Sequence, residues 1–120
     1  MKLKEILEIL EAKTIQLSSE QFLNQDYHFV FATDLMSDAL ALVRSNSEET
    51  LLVTGLANIQ TLRTAEVLDI TSIILVRGKT LQYSEVELGS EQEFNIFTTD
   101  FTMYEACGRL YMAGLGTATK

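Results

Sequence analysis

Short apolar segments alternate with amphipathic segments along most of the chain. Residues 27–32, 50–54, 72–76 and 95–98 are near-continuous runs of aliphatic, β-branched or aromatic residues. Runs of this length, without polar alternation, are typical of parallel strands that helices cover on both faces. Each run is followed by a stretch long enough for a helix. The pattern therefore predicts four strand–helix units in succession.

The helical pattern is clearer in some of these stretches than in others. Three have apolar residues at helical spacing: Leu35, Met36, Ala39, Leu40 and Val43; Ile59, Leu62, Ala65 and Leu68; and Met103, Ala106, Cys107 and Leu110. Residues 84–93 alternate partly as a strand would, and we predict a helix there from context and from the capping-box spacing of Ser84 and Glu87. Thr102 and Glu105 have the same spacing before the last helix, and Gly114 and Gly116 are suited to end it.

Two more elements precede these units. Leu3, Ile6, Leu7 and Leu10 form the apolar stripe of a first helix, and residues 14–17 predict a short strand. Residues 18–26 are polar and turn-like. Together the segments predict a single α/β domain over residues 1–120, with a mostly parallel central sheet flanked by helices.

Composition and charge narrow the functional classes. Hydrophobic residues make up 47% of the chain and charged residues 22%, as in ordinary folded domains. The net charge of -8 repels nucleic acid and anionic lipid. One cysteine excludes an internal disulfide and a multi-thiolate zinc site. No signal peptide or membrane-spanning stretch is visible, so we expect a cytoplasmic protein that binds neither nucleic acid nor a membrane.

The carboxyl ends of the predicted strands collect small and polar residues. In a parallel sheet these ends meet at one edge, where helix N-termini offer N–H groups to a ligand. We predict a ligand site there, with Arg77 as the anchor for an anion. The candidates are Thr33, Asp34, Ser37, Thr54, Gly55, Arg77, Gly78, Thr99, Asp100 and Thr102. Helix capping and turn geometry account for the same residue types without a ligand, so both interpretations stay open.

Sequence motifs for catalysis are absent. The chain has no P-loop, no dinucleotide-binding fingerprint and no nucleophile elbow. His28, the one histidine, lies inside a predicted strand, where a structural role is expected. Cys107 is predicted to be a small buried apolar residue. Asp34 and Asp38 lie one helical turn apart, but two carboxylates are a weak signal for a metal, and we expect no cofactor.

Three stretches resemble characteristic segments of small stand-alone DRTGG-domain proteins. They are residues 31–40, residues 52–56 with 62–65, and residues 98–108, the last being the most specific. The resemblance covers nearly the whole chain. It implies a fold similar to the N-terminal, non-catalytic domain of HPr kinase/phosphorylase, and a regulatory or dimerisation role without an activity of its own. Thr54-Gly55-Leu56 and Val76-Arg77-Gly78 stand where the name-giving family pattern has Gly-Asp-Arg and Thr-Gly-Gly.

Three functional hypotheses follow. The first is a non-catalytic regulatory or ligand-sensing module that binds a small anionic or nucleotide-type ligand at the strand ends. The second is a purely structural protein-interaction domain. The third, and weakest, is a small enzyme that uses Asp34, Asp100 or His28 as an acid or base.

A homodimer is expected because some apolar side chains would otherwise face water. Tyr104, Tyr111 and Met112 on the last helix are candidates for its interface, and so is the stripe of the first helix. The alternative for the first helix is that it packs back on its own sheet. The resemblance also implies a dimer.

Overall fold

Six strands and five α-helices form within residues 1–43 and 46–118, which the computed structural model describes. The strands are β1 (Lys13–Gln16), β2 (Phe29–Ala32), β3 (Thr50–Thr54), β4 (Ser72–Leu75), β5 (Asn95–Thr98) and β6 (Gly116–Thr117). The helices are α1 (Leu3–Ile9), α2 (Met36–Leu42), α3 (Ile59–Leu68), α4 (Tyr83–Glu91) and α5 (Met103–Met112). Short 3-10 helices cover Glu20–Asn24 and Ser47–Glu49.

The strands form a mixed sheet in the order β1-β5-β4-β3-β2-β6. Every neighbouring pair from β5 to β6 is parallel, and β1 pairs antiparallel with β5 at one edge. In the centre, Leu52 lies between Phe31 and Ile73. The four runs predicted to be buried strands provide the four central strands of this sheet. The predicted α/β fold class is therefore confirmed.

The direction of each crossover decides which face of the sheet a helix covers. The connections through α2, α3 and α4 each move the chain one strand in the same direction. Because parallel crossovers are right-handed, these three helices lie on the same face. The connection through α5 runs the opposite way, from β5 past β2 to β6, so α5 lies on the other face together with α1.

Alternate residues of the central strands pack into two separate cores. One core joins α2 and α3 to strand residues that include Leu52, Ile73, Leu75 and Ile96. The other core joins α1 and α5 to strand residues that include Leu51, Val53, Ile74 and Phe97. The central strands are thus buried on both faces, which explains why their sequences are continuously apolar rather than alternating.

The first helix belongs to the second core. Leu3, Ile6 and Leu10 are 0% exposed, so the first helix packs back on its own sheet, and the prediction of its stripe as a candidate dimer interface is wrong. Its C-terminal end is also tied to distant segments, since the Leu10 carbonyl accepts a hydrogen bond of 2.6 Å from the Thr99 hydroxyl. Helices α1 and α5 together cover this face of the sheet.

Two local predictions were wrong in detail. Strand β2 begins at Phe29, so His28 precedes the strand instead of lying inside it. Its imidazole is exposed and hydrogen-bonds the carboxylate of Glu49. Helix α4 begins at Tyr83, and Glu85 accepts the backbone N–H of Gln82, so the predicted start at residue 84 was one residue late.

Two predictions about α5 are confirmed. Thr102 Oγ1 accepts the Glu105 N–H at 3.4 Å and caps α5 as its spacing indicated. Gly114, just past the end of α5, has a φ of 104°, a conformation that favours glycine. Of the helices in the described ranges, none is long and apolar enough to cross a membrane.

A buried polar chain links the amino ends of β4 and β5. The Tyr27 hydroxyl lies 2.5 Å from Ser72 Oγ, which also accepts a bond from Asn95 Nδ2 at 3.4 Å. Asn95 Oδ1 in turn accepts the backbone N–H of Ser18 at 3.0 Å. Burial raises the pKa of Tyr27, and its hydrogen bonds to Ser72 and Thr71 offset part of that rise.

Replacing Tyr27 with phenylalanine tests this chain of contacts. The loss of one buried hydrogen bond should cost about 1 kcal/mol near neutral pH. Because the folded pKa is raised, the wild-type protein keeps the contribution of the neutral phenol below about pH 10 and loses it as the pH rises through the folded pKa. The Tyr27→Phe variant should lack this alkaline loss, as measured by urea unfolding between pH 7 and 11.

Tyr83, which is 80% exposed, provides the control. The Tyr83→Phe variant should follow the wild-type curve at every pH. Equal alkaline slopes for Tyr27→Phe and the wild type would contradict the role given to the buried phenol.

Candidate functional site

Four strand–helix loops meet at the carboxyl edge of the sheet. They follow β2, β3, β4 and β5 and comprise residues 33–35, 55–58, 76–82 and 99–102. Because the four strands are parallel neighbours, the side chains that follow them are brought together although they are far apart in sequence. The ten candidate residues lie in or next to these loops.

Asp34 connects the first two loops. Its Oδ1 accepts the backbone N–H of Gly55 at 2.6 Å and the Thr54 hydroxyl at 3.4 Å. It does not cap α2, whose N-cap residue is Leu35, and the Leu35 N–H instead bonds Thr33 Oγ1 at 2.9 Å. The interpretation of Asp34 as a helix cap is therefore wrong, because the carboxylate is used between loops.

Arg77 brings the third loop to the same carboxylate. Its Nη1 donates to Asp34 Oδ2 at 3.3 Å, and the two side chains are 41% and 51% exposed. The guanidinium lies directly on Gly55, where a Cβ atom would be only 2.2 Å from Nη2. The approach of Arg77 to the backbone therefore explains the glycine at position 55. A turn with a positive φ does not explain it.

The turn that presents Arg77 is itself constrained. Arg77 and Gly78 have φ values of 60° and 66°, and the Lys79 N–H bonds the Val76 carbonyl at 3.2 Å. Two consecutive positive φ values within such a turn are the pattern of type I′. The Arg77 and Gly78 N–H groups donate to the carbonyls of Phe101 and Thr99, both at 2.8 Å. The third and fourth loops are therefore hydrogen-bonded to each other.

The remaining candidates have varied surroundings. Thr99 is buried, and its hydroxyl donates to the Leu10 carbonyl at the C-terminal end of α1. Asp100 is exposed and lies beside Gly78, with its Oδ1 3.0 Å from where a Gly78 Cβ would be. Ser37 is exposed in the first turn of α2, and Thr102 caps α5. The structure thus joins Asp34, Thr54, Gly55 and Arg77 in direct contact, with Gly78 and Asp100 next to them.

Of the residues considered for acid–base chemistry, Asp34 and Asp100 lie at the carboxyl edge of the sheet and His28 does not. His28 precedes β2 and Asp34 follows it, so they lie at opposite edges of the sheet. Asp38 is exposed on α2, and the described part of the chain contains no group of three or more potential metal-ligating side chains. Cys107 is half-buried, and burial raises the pKa of its thiol, which disfavours the reactive thiolate.

Concave surfaces also occur away from this edge. A shallow one of about 650 Å³ runs along the outward face of α5. Another, of about 490 Å³, lies toward the amino ends of the strands and is lined by acidic residues that sequence reasoning did not connect. They are Asp26, Glu48, Glu49 and Asp69. Glu48 and Glu49 are neighbours in one 3-10 helix, and the folded topology brings Asp26 and Asp69 to them.

Neither a protein-family model nor a curated protein matches the chain. Among solved structures, it is similar to the crystal structure of the CBS and DRTGG domains of the regulatory region of Clostridium perfringens pyrophosphatase, complexed with the activator diadenosine tetraphosphate. The TM-score is 0.69 at 17% sequence identity. The match covers 91% of this chain and 45% of that chain, so this chain spans less than half of its length. At this identity the similarity establishes the fold, and the chain has the DRTGG-like fold that the resemblance implied.

Alanine substitutions at two loop glycines separate packing from backbone strain. In Gly55→Ala the new Cβ meets only the end of the long Arg77 side chain, which can turn aside, so we expect the free energy of unfolding to change by less than about 0.5 kcal/mol. In Gly78→Ala the positive φ should cost about 1–2 kcal/mol. Urea unfolding of both variants measures the difference. A greater loss for Gly55→Ala than for Gly78→Ala would contradict this assignment.

Proposed function

We propose that the chain is a non-catalytic regulatory module that binds a small anionic or nucleotide-type ligand at the carboxyl edge of its sheet and acts as a homodimer in the cytoplasm. The observation that carries the ligand proposal is the half-exposed Arg77 guanidinium, held over Gly55 where three loops meet. The other proposed site residues lie in or near the four loops of the same edge: Thr33, Asp34, Ser37, Thr54, Gly78, Thr99, Asp100 and Thr102.

The chemistry of this edge suits an anion. Arginine presents several N–H donors in a planar fork that matches phosphate and carboxylate oxygens. Backbone N–H groups at the starts of the helices add partial positive charge toward the same edge. An exposed ion pair contributes little to stability, so the contact with Asp34 can be exchanged at low cost.

Binding at this point would act on two loops at once. An anion that takes the Arg77 guanidinium competes with Asp34, which also holds the Gly55 N–H. Release of Arg77 from Asp34 would loosen the connection between the loops after β2 and β4. A sensor requires only that the ligand favours one of two such arrangements, and no reacting group is needed.

The comparison supports the class of ligand. The structurally similar pyrophosphatase region is regulatory and was crystallised with a nucleotide activator. The enzyme hypothesis stays the weakest, because the Asp34 carboxylate is already held by the Gly55 N–H and by Arg77, and His28 lies at the opposite edge of the sheet. The protein-interaction hypothesis remains the second candidate, because the outward face of α5 exposes Tyr104 and Met112 almost fully.

Substitution of Arg77 tests the ligand proposal. We expect ATP, diadenosine tetraphosphate or pyrophosphate to raise the melting temperature of the wild type, since a ligand at 100 times its dissociation constant adds about 2.7 kcal/mol. The Arg77→Ala variant should bind the same ligand at least about tenfold more weakly, because the charged anchor is lost. Calorimetric titration measures the affinities.

Arg63→Ala provides the matched control for charge. Arg63 is an exposed arginine on α3, and its loss should leave the affinity unchanged. Equal binding by the wild type and Arg77→Ala would refute the site. A wild-type protein that responds to none of these anions would favour the protein-interaction hypothesis.

The Asp34→Asn variant tests the competition. Asparagine retains an oxygen that can accept the Gly55 N–H but lacks the negative charge that competes for Arg77. The affinity for the anion should therefore rise, by up to about fivefold, as one exposed like charge is removed. Weaker binding by Asp34→Asn would mean that the ligand needs this carboxylate, which contradicts the exchange.

A further inference from the structure

Gly108 has an unusual position in α5. It lies in the interior of the ten-residue helix Met103–Met112, where glycine is the poorest helix former after proline. A Cβ added at Gly108 would meet nothing within 4 Å, and the residue is exposed. Neither backbone conformation nor crowding within the chain therefore requires a glycine at this point.

Gly108 lies at the centre of the outward face of α5. The buried side of the helix is marked by Ala106 and Leu110. At 3.6 residues per turn, Gly108 points about 180° away from the midpoint between these two residues. A glycine at the centre of an exposed face allows another backbone to approach closely, as small residues do where helices cross.

The side chains around Gly108 are large and apolar. Tyr104, Tyr111 and Met112 are 90%, 80% and 89% exposed, and they border the shallow concave surface of about 650 Å³. Tyrosine and methionine are enriched in protein interfaces, whereas lysine and glutamate are depleted there. Three large apolar side chains thus border the central glycine, together with Glu105 and Arg109.

Charge indicates what covers this face. Glu105 and Arg109 are the charged residues of α5, and they pair with each other, with Oε2 2.9 Å from Nη2. The face is therefore neutral in a chain whose net charge is -8. Two copies of such an acidic chain repel each other over most of their surfaces, and they can meet at a neutral apolar face with least repulsion.

We propose that a second copy of this chain docks on the outward face of α5, with the two α5 helices crossing at Gly108. This inference rests on the proposed homodimer and assigns its interface. Tyr104, Tyr111 and Met112 of each copy then cover the helix of the other, and the Glu105–Arg109 pair lies at the rim. A two-fold axis through the crossing point makes the two contributions identical.

The Gly108→Ala variant gives two opposite effects. Alanine favours the helix, so under dilute conditions, where the chain is monomeric, the melting temperature should rise. At the crossing point its methyl group separates the helices, so the dimer dissociation constant should increase about tenfold or more. Sedimentation equilibrium across the micromolar range measures the second effect. Ser90→Ala, at an exposed position of α4, should leave the dissociation constant unchanged.

A second pair of variants tests the interface at a residue other than Gly108. Tyr111→Glu should convert the dimer to a species of 13.5 kDa, whereas Tyr83→Glu, on a tyrosine that is also 80% exposed, should leave it intact. A wild-type chain that stays monomeric would overturn both the homodimer and this interface. A wild-type dimer that Gly108→Ala and Tyr111→Glu leave unchanged would overturn the interface alone. Neither outcome depends on anion binding, which the Arg77 variant measures separately.

Discussion

The handedness of parallel crossovers determines how this chain is arranged. Three successive right-handed connections place α2, α3 and α4 on one face of the sheet, so the other face has to be covered by segments from the two ends of the described chain. The helices α1 and α5 do so. Because β2, β3, β4 and β5 are parallel neighbours, the loops that follow them lie at one edge of the sheet. The candidate site and the exposed helix face are therefore two consequences of one topology.

Much of the fold could be predicted from the sequence because the central strands are buried on both faces. Residues such as Leu51 to Val53 and Ile73 to Leu75 are continuously apolar, and short runs of this kind between helical stretches are typical of doubly covered parallel strands. Strand β6 was not predicted, because Gly116 and Thr117 carry no strand pattern and pair with β2 only through the tertiary fold. The burial of α1 was also undetermined, since its apolar stripe fits an interface as well as a core.

The candidate site was predicted as a location but not as a set of contacts. Strand ends in a parallel sheet identify the edge, and the residue types there indicate an anion. Asp34 bonds Gly55 and Arg77 and does not cap α2. This choice depends on how closely the neighbouring strands bring their loops together. Gly55 and Gly78 look alike in sequence. Gly55 makes room for the Arg77 guanidinium, whereas Gly78 adopts a positive φ. Only the folded structure distinguishes these two reasons for a glycine.

The contacts between α1 and the end of the chain have a consequence for the order of folding. Arg109 Nη1 donates to the Ile9 carbonyl across 100 positions, and Thr99 reaches Leu10 across 89. Helices α2, α3 and α4 pack against strands that are close to them in sequence. Helices α1 and α5 pack on each other only when residues about 100 positions apart have come together. During synthesis, Leu3, Ile6 and Leu10 therefore lack the part of their native cover that comes from Ala106 and Leu110 until α5 has left the ribosome. Helix α1 is therefore the first of the described helices to be made and among the last to complete its packing, and its partly covered apolar stripe favours aggregation or chaperone binding in this interval.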